Sequence, residues 1–318
     1  MGMLLDGVWH DVPRDTKSTG GAFVRPESAF RASVSADGHS GFKAEAGRYH
    51  LYIARACPWA HRTAILRAMK GLDAALPMSI VDSYFGPHGW EFTGENGATR
   101  DAANDCRYLY QVYLLAKPDY SGRVTVPVLW DTRRRTIVNN ESSELLRMLN
   151  SEFDALATRN VPDLYPGELR AEIDTLNARV YRDVNNGVYR AGFATAQDKY
   201  EEAVTQLFAA LDWLEERLAA RRWLCGERLT EADLRLFTTL VRFDAVYYSH
   251  FKCNIRRLID FPNLWRHTCE AYALPGVAQT VDIDAIKAHY YCSMPTLNPT
   301  RIVPKGPILD FTVPRRGA

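Results

Sequence analysis

The fold is decided at residues 48–62, which read RYHLYIARACPWAHR. The first six of these residues, 48–53, have the character of a buried strand. From Pro58 onward apolar residues recur at helical spacing, and Gly71 marks the end of that helix. The segment therefore predicts a strand that passes directly into a helix, with Cys57-Pro58 at the junction.

The elements that follow continue this order toward the carboxyl end. The sequence predicts a strand at 78–84, a helix at 108–116, strands at 126–130 and 136–138, and a helix at 141–149. A β-α-β unit followed by a β-hairpin and a helix is the order of a thioredoxin-like domain. We therefore expect an α/β thioredoxin-like domain over residues 46–155.

The second half of the chain is helical almost throughout. After a Pro-containing linker near 160–168, apolar residues from Val204 to Leu218 step by three and four along one helix face. Thr230 and Asp233 have the spacing of a capping box, and Leu229 and Leu234 stand at the two staple positions. We expect an all-α domain over residues 165–318, ending in an irregular Pro-rich tail from about 293.

Residues 1–45 are rich in Gly, Ser, Asp and Pro and show little periodicity. We interpret them as an extended arm or a lid that forms no part of a core. The role of this arm is not indicated by its composition.

The overall composition excludes several classes of protein. The 318 residues carry a formal net charge of +1, which gives no electrostatic reason to expect nucleic acid or an anionic membrane as a partner. The densest basic run, 133–135, is expected to be a solvated turn. No stretch is apolar and long enough to span a membrane, and the amino terminus lacks the pattern of a signal peptide, so the cytoplasm is the expected compartment.

Six cysteines are widely spaced, and no Cys-x-x-Cys occurs. We expect free thiols in a reducing compartment. Three of the cysteines stand near histidines, but a zinc site needs four converging ligands. The pairs fall in separate helical segments, so no metal is expected: His250/Cys253, His267/Cys269 and His289/Cys292.

Cys57 is the candidate nucleophile. Pro58 suits the first position of a helix, which places Cys57 at the helix amino terminus, where the dipole and the free N–H groups stabilise a thiolate. The alternative is a buried, inert cysteine. Because Ala60 stands where a dithiol enzyme has its second cysteine, a mixed disulfide on Cys57 must be resolved by an external thiol, and glutathione is the natural candidate.

Two further motifs fit a glutathione site. Pro127 inside a strand is often cis, and would expose the backbone of Val126 to an extended peptide, although an ordinary edge-strand proline is the alternative. Glu141 and Ser142 open a helix whose N–H groups could bind a carboxylate, while Glu141 could hold an ammonium group. Plain helix capping is the alternative for this second motif.

Together these motifs resemble the cytosolic glutathione transferases, and more closely their Xi class, the glutathionyl-hydroquinone reductases. The resemblance runs over nearly the whole chain. It is carried by CPWAHR at 57–62, GWEF at 89–92, YSGRVTVPVLWD at 120–131, VNNGVYRAGFA at 184–194 and DTKSTGG at 15–21.

The resemblance implies an activity and a set of residues. Cys57 would attack the sulfur of a glutathionyl-hydroquinone, and a second glutathione would release glutathione disulfide. It implies glutathione contacts at Trp90, Arg123, Val126, Glu141 and Ser142 and substrate contacts at Tyr189, Tyr247 and Tyr290, with Tyr248 as an alternative to Tyr247. Tyr189 and Tyr290 are also candidate proton donors in catalysis. A homodimer formed through the helical domain is implied as well.

Other functions remain as alternatives at this point. A general glutathione thiol transferase or dehydroascorbate reductase of the Omega type also has Cys-Pro and lacks a second active cysteine. A non-enzymatic assembly module would typically lose the nucleophile, and Cys57 argues against it. A Ser- or Tyr-type conjugating transferase is disfavoured, because a thiolate forms a disulfide with glutathione instead of activating it.

Overall fold

The computed structural model describes residues 2–12 and 15–312, and the outer ends of the predicted arm and tail lie outside these ranges. Its contacts divide the chain into two compact units. The first comprises residues 1–14, 27–162 and 279–295, and the second comprises 15–26, 163–278 and 296–318.

The first unit is built on a four-stranded mixed sheet. The strands are β5 (Tyr49–Ala54), β6 (Met78–Val81), β7 (Val128–Asp131) and β8 (Thr136–Asn139), in the order β6-β5-β7-β8. β5 pairs parallel with β6 and antiparallel with β7, and β7 pairs antiparallel with β8. Every residue of β5 is buried, which explains its nearly continuous apolar character.

Three helices accompany the sheet in chain order, as the thioredoxin-like prediction requires. They are α1 (Pro58–Met69), α2 (Leu109–Ala116) and α3 (Ser142–Ser151). α1 packs against α3, and α2 contacts β8. Gly71, with φ of 62°, lies just beyond α1 and ends it, as expected.

The main elements of the second unit, among its described residues, are helices. It contains α4 (Arg170–Arg179), α5 (Gly187–Gly192), α6 (Gln197–Ala219), α7 (Glu231–Leu240) and α8 (Pro262–Tyr272), with π-helical turns at Val180–Asn185 and Phe243–Tyr247. The capping box of α7 is present: the Thr230 amide donates to Asp233 Oδ2 at 2.9 Å, and the Thr230 side chain accepts from the Asp233 backbone. The expected fold class, a thioredoxin-like domain and a helical domain, is confirmed.

The arm contributes more to the packing than the sequence analysis expected. It contains the hairpin β1 (Met3–Leu5) and β2 (Val8–His10) and a short parallel pair, β3 (Val34–Ser35) and β4 (Phe42–Lys43). Leu4 and Val34 are buried. The expectation that the arm takes no part in a core was therefore wrong, because isolated apolar residues in short strands carry no detectable periodicity.

At the carboxyl end, the order of segments in the sequence differs from their division between the two units. The helix α9 (Ile283–Ser293) belongs by its contacts to the first unit, although its sequence follows the helical segment. The Phe85 amide donates to Ser293 Oγ at 2.9 Å, and His289 Nδ1 lies 2.8 Å from the Ser83 carbonyl oxygen. The predicted domains were the consecutive ranges 1–45, 46–155 and 165–318, whereas each unit of the structure is made of three separate segments.

Candidate active site

Cys57 caps the amino terminus of α1. Its backbone is extended, with φ of −76° and ψ of 118°, and its sulfur accepts a hydrogen bond from the Ala60 amide at 3.5 Å. The first turn of a helix has amide groups without intrahelical acceptors, so the sulfur occupies the place where a negative charge is stabilised. Cys57 as a residue is partly exposed.

Val126 and Pro127, the two residues before β7, lie beside this sulfur. The Val126-Pro127 peptide bond is cis, and the Cys57 thiol donates to the Val126 carbonyl oxygen at 3.6 Å. The structure thus brings together two residues that are 69 positions apart. A backbone segment next to a nucleophilic sulfur offers hydrogen bonds to an extended peptide ligand.

Glu141 caps the amino terminus of α3. Its carboxylate accepts from the Ser143 amide at 3.0 Å and from the Ser28 hydroxyl at 2.9 Å. Burial raises the pKa of the Glu141 carboxyl, but the hydrogen bonds from Ser143 and Ser28 outweigh that effect and leave the pKa below its ordinary value. Glu141 is therefore an anion at neutral pH.

Ser142 connects the helix α3 to the helix that carries the cysteine. The Ser142 hydroxyl is buried and accepts from the Arg62 guanidinium at 3.3 Å. The same guanidinium lies 4.7 Å from the ring centroid of Trp59. Arg62 is a residue that the sequence reasoning did not assign, although it stands inside the motif at 57–62.

Trp90 and Arg123 lie on two loops of the first unit. The Trp90 indole stacks on the His289 imidazole, with ring centroids 5.0 Å apart and 21° between the planes, and meets Phe85 edge-on. The Arg123 guanidinium donates to the carbonyl oxygens of Gly2 at 3.2 Å and Val12 at 3.4 Å. Burial lowers the pKa of Arg123.

The three tyrosines named from the resemblance are divided between the units. Tyr290 is buried on α9 in the first unit, and its ring meets His289 edge-on. Tyr189 and Tyr247 belong to the second unit and are neighbours, with ring centroids 6.1 Å apart. Tyr247 is fully buried, whereas its sequence neighbour Tyr248 is partly exposed.

Tyr189 stands in an aromatic cluster that the sequence reasoning did not foresee. Phe23 from the arm and Phe251 lie near its ring, and the Arg25 guanidinium lies 4.8 Å from the Tyr189 centroid. Arg25 also donates to the Asn186 side chain at 3.0 Å. No sequence pattern links Phe23 to Tyr189, because the contact spans more than 160 residues.

Four of the other five cysteines have thiols whose pKa is raised by burial. Burial raises the pKa of the thiols of Cys106 to about 12, Cys225 to about 11 and Cys269 to about 12. Burial also raises the pKa of Cys253. These four thiols stay protonated near neutral pH, which makes them poor nucleophiles.

The described residues bear on two other possibilities, a metal site and a membrane-spanning helix. Over residues 2–12 and 15–312, no three His, Cys, Asp or Glu side chains gather into a group that could hold a metal ion. In the same part of the chain, no helix has the length and apolar character needed to cross a bilayer.

Comparisons with known proteins place these features in a family. The N-terminal domain of glutathione S-transferase matches residues 56–152, and its C-terminal domain matches residues 197–268. The glutathionyl-hydroquinone reductase PcpF of Sphingobium chlorophenolicum is 56% identical over 96% of this chain and 96% of its own length. These matches span both units.

Solved structures agree with the sequence matches. A Xi-class glutathione transferase from Natrialba magadii has a TM-score of 0.92 at 49% identity, covering 99% of this chain and 96% of its own. The glutathione-bound structure of YqjG, a glutathione transferase homologue from Escherichia coli K-12, has a TM-score of 0.91 at 48% identity, covering 98% of each chain.

Proposed function

The chain belongs to the glutathione S-transferase family, in its Xi class, and on that premise we propose that it is a glutathionyl-hydroquinone reductase with Cys57 as nucleophile. The observation that carries the proposal is the position of the partly exposed residue Cys57 at the amino terminus of α1, with its sulfur 3.6 Å from the Val126 carbonyl oxygen. The relative PcpF, whose name states this activity, is 56% identical over 96% of the chain.

The reaction has two steps. The Cys57 thiolate attacks the sulfur of a glutathionyl-hydroquinone, the bond between that sulfur and the aromatic carbon breaks, and the carbon takes up a proton to give the hydroquinone. Cys57 is then joined to glutathione as a mixed disulfide. A glutathione thiolate attacks the glutathione sulfur of this disulfide, which releases glutathione disulfide and restores the Cys57 thiolate. The aromatic carbon is reduced, and two glutathione sulfurs are oxidised.

The glutathione part of the substrate is proposed to bind to the first unit. The Val126 backbone would pair with the peptide, and the Glu141 carboxylate, an anion at neutral pH, would hold the γ-glutamyl ammonium. Ser142 would contact the γ-glutamyl carboxylate. Trp90 would lie against the peptide, and Arg123 near its glycyl or cysteinyl part.

The aromatic part of the substrate is proposed to meet the three tyrosines. A phenolic ring needs apolar surface and hydrogen-bonding groups for its oxygens, and tyrosine supplies both. Tyr189 and Tyr290 are the proposed donors of the proton that the aromatic carbon takes up. Tyr247 is proposed to provide apolar surface for the aromatic ring. The nearness of the Tyr247 ring to the Tyr189 ring supports the choice of Tyr247.

Turnover of a synthetic glutathionyl-hydroquinone with added glutathione tests the proposal. We expect hydroquinone release by the wild type, and a loss of kcat of about a hundredfold or more in Cys57→Ala, because the proposed nucleophile that forms the mixed disulfide is removed. Cys225→Ala is the matched control and should keep wild-type turnover, because burial holds that thiol protonated. Absence of hydroquinone release, with active reduction of dehydroascorbate or a glutathione mixed disulfide, would assign the chain to the Omega-like thiol transferases.

We also propose that the enzyme works as a cytoplasmic homodimer. The resemblance to the Xi class supports this, and the free cysteines fit a reducing compartment.

A further inference from the structure

The hairpin β1–β2 at residues 2–12 has a tight, well-defined turn. Asp6 and Gly7 both have positive φ, 45° and 78°, as a two-residue hairpin turn of the primed type requires. A side chain at Gly7 would lie 2.2 Å from the Pro118 carbonyl oxygen, so the turn also lies directly against the loop that precedes Arg123.

One strand of this hairpin is hydrogen-bonded to the loop that carries Arg123. Leu4 and Gly122 exchange two backbone hydrogen bonds, of 2.9 and 2.8 Å. The Gly7 amide donates to the Tyr120 carbonyl oxygen at 3.2 Å, and the Asp6 amide donates to Ser121 Oγ at 2.8 Å. These bonds fix the backbone on both sides of the turn that precedes Arg123.

The two ends of the hairpin hold the Arg123 side chain itself. Its guanidinium donates to the carbonyl oxygens of Gly2, just before β1, and Val12, just after β2. Because a guanidinium is planar and its donors are rigidly arranged, two acceptors on one nitrogen restrict the direction of the whole group. Burial lowers the pKa of Arg123, so these acceptors also compensate a partly desolvated charge.

The other strand contacts the loop that carries Trp90. Trp9 lies directly opposite Leu4 in the hairpin register, and its Nε1–H donates to the Pro87 carbonyl oxygen at 2.8 Å. A Cβ at Gly89 would come within 2.8 Å of the Trp9 ring, so the indole is in close contact with the residue before Trp90. The opposite neighbour of the Trp9 ring is Tyr110, stacked at 5.2 Å.

A single cross-strand pair, Leu4 and Trp9, therefore joins both loops. We propose that the hairpin is a positioning element for glutathione, with Trp9 as the positioning residue that holds the Trp90 loop in register with the Arg123 loop. The inference rests on the proposed function, in which Trp90 and Arg123 contact glutathione. It assigns a role to residues 2–12, the first part of the arm.

Calorimetric titration of glutathione tests the role in a Cys57→Ser background, where no mixed disulfide forms. Trp9→Ala should raise the Kd about tenfold, because both the hydrogen bond and the packing on Gly89 are lost. Trp9→Phe keeps an aromatic ring beside Tyr110 but loses the hydrogen bond to Pro87 and the outer indole atoms that contact Gly89, so it should raise the Kd by a smaller factor, about threefold. In the otherwise native enzyme the same changes should raise KM for glutathione more than they lower kcat.

Trp213→Phe is the matched control, because Trp213 is a partly exposed tryptophan in the second unit, and its Kd should stay within about twofold of the parent value. Near-ultraviolet circular dichroism checks that each variant is folded, and if Trp9→Ala is not, Trp9→Phe decides. A folded Trp9 variant that binds glutathione like the parent would overturn the positioning role alone. No glutathione binding by the parent would overturn the proposed function and the positioning role together.

Discussion

At the scale of single residues, the proposed nucleophile Cys57 differs from at least three of the other cysteines. Cys57 lies partly exposed at a helix amino terminus, whereas burial raises the pKa of Cys106, Cys225 and Cys269. A thiol whose pKa is raised well above 7 is protonated at neutral pH, and the protonated form does not attack an alkylating agent. The helix position stabilises the thiolate form of Cys57 instead.

We therefore predict that iodoacetamide at neutral pH modifies Cys57 first. Peptide mass mapping over time should show the Cys57 peptide carbamidomethylated while those of Cys106, Cys225 and Cys269 remain unmodified. Cys57→Ser should remove the early adduct and leave the slow phase unchanged. Labelling of Cys225 at the same rate as Cys57 would contradict the assignment of the nucleophile.

Glu141 gives a prediction that depends on pH. Its folded-state pKa lies below the ordinary value of 4.5, so the ionised carboxylate contributes stability that is present above 4.5 and is lost as the pH falls through the folded-state pKa. Glu141→Gln should lower the free energy of unfolding by about 1 kcal/mol at pH 7, since charge-assisted hydrogen bonds become neutral ones. The difference from wild type should shrink as the pH falls below 4.5.

Urea unfolding at a series of pH values measures this difference. The exposed Glu95→Gln is the matched control and should match wild type throughout. The same Glu141 variant should raise KM for glutathione, because the proposed partner of the γ-glutamyl ammonium loses its charge. A Glu141→Gln deficit that stays constant from neutral to acid pH would show that ionisation of this carboxyl is not what stabilises the fold.

At the scale of elements, Asp233 in the first turn of helix α7 does more than complete the capping box. Asp233 Oδ1 accepts from the Leu224 amide at 2.7 Å and lies 3.1 Å from His267 Nε2, and Asp233 Oδ2 accepts from the Thr230 amide. All of these groups are buried. The capping box was predictable from Thr230-x-x-Asp233, but the link to Leu224 and His267 was not, because it joins three separate segments.

This difference predicts an asymmetry between the two members of the capping box. Thr230→Ala removes the cap bond from the Asp233 amide and the hydrogen bond from the Thr230 hydroxyl to Asp233 Oδ2, and should cost about 1 kcal/mol of unfolding free energy. Asp233→Ala leaves buried donors on Leu224 and His267 without their acceptor and should cost about 3 kcal/mol. Urea denaturation measures both, with the exposed Glu227→Ala as a control near wild type. Equal losses from the two variants would mean that Asp233 acts as a helix cap only.

At the scale of the whole molecule, the features that could be predicted from the sequence are those that depend on neighbouring residues. The strand–Cys57–helix junction, the cis Val126-Pro127 bond and the cap of α7 each depend on a few neighbouring residues. Their periodicity and turn chemistry are therefore visible in one sequence. The placement of strand and helix ends differs by one to three residues where hydrogen bonding, not composition, decides the boundary.

What the sequence did not predict depends on contacts between distant segments. His289 reaches Trp90 across about 200 positions, and Phe23 reaches Tyr189 across more than 160. The hairpin at residues 2–12 is a different case, because Leu5-Asp6-Gly7-Val8 is the pattern of a primed turn between short apolar strands and was detectable. The loops that the hairpin contacts could not be predicted, because no local sequence pattern indicates that Leu4 pairs with Gly122.

The proposed homodimer gives the prediction that belongs to the whole molecule. Sedimentation velocity should give a mass about twice the 36.0 kDa of one chain. Because association stabilises the folded state by mass action, the Tm should rise with protein concentration if each chain needs its partner. Cys57→Ser should show the same mass, which separates non-covalent association from disulfides formed through the reactive thiol. A mass of one chain at every concentration, with a constant Tm and full hydroquinone release, would mean that a single chain holds the complete active site.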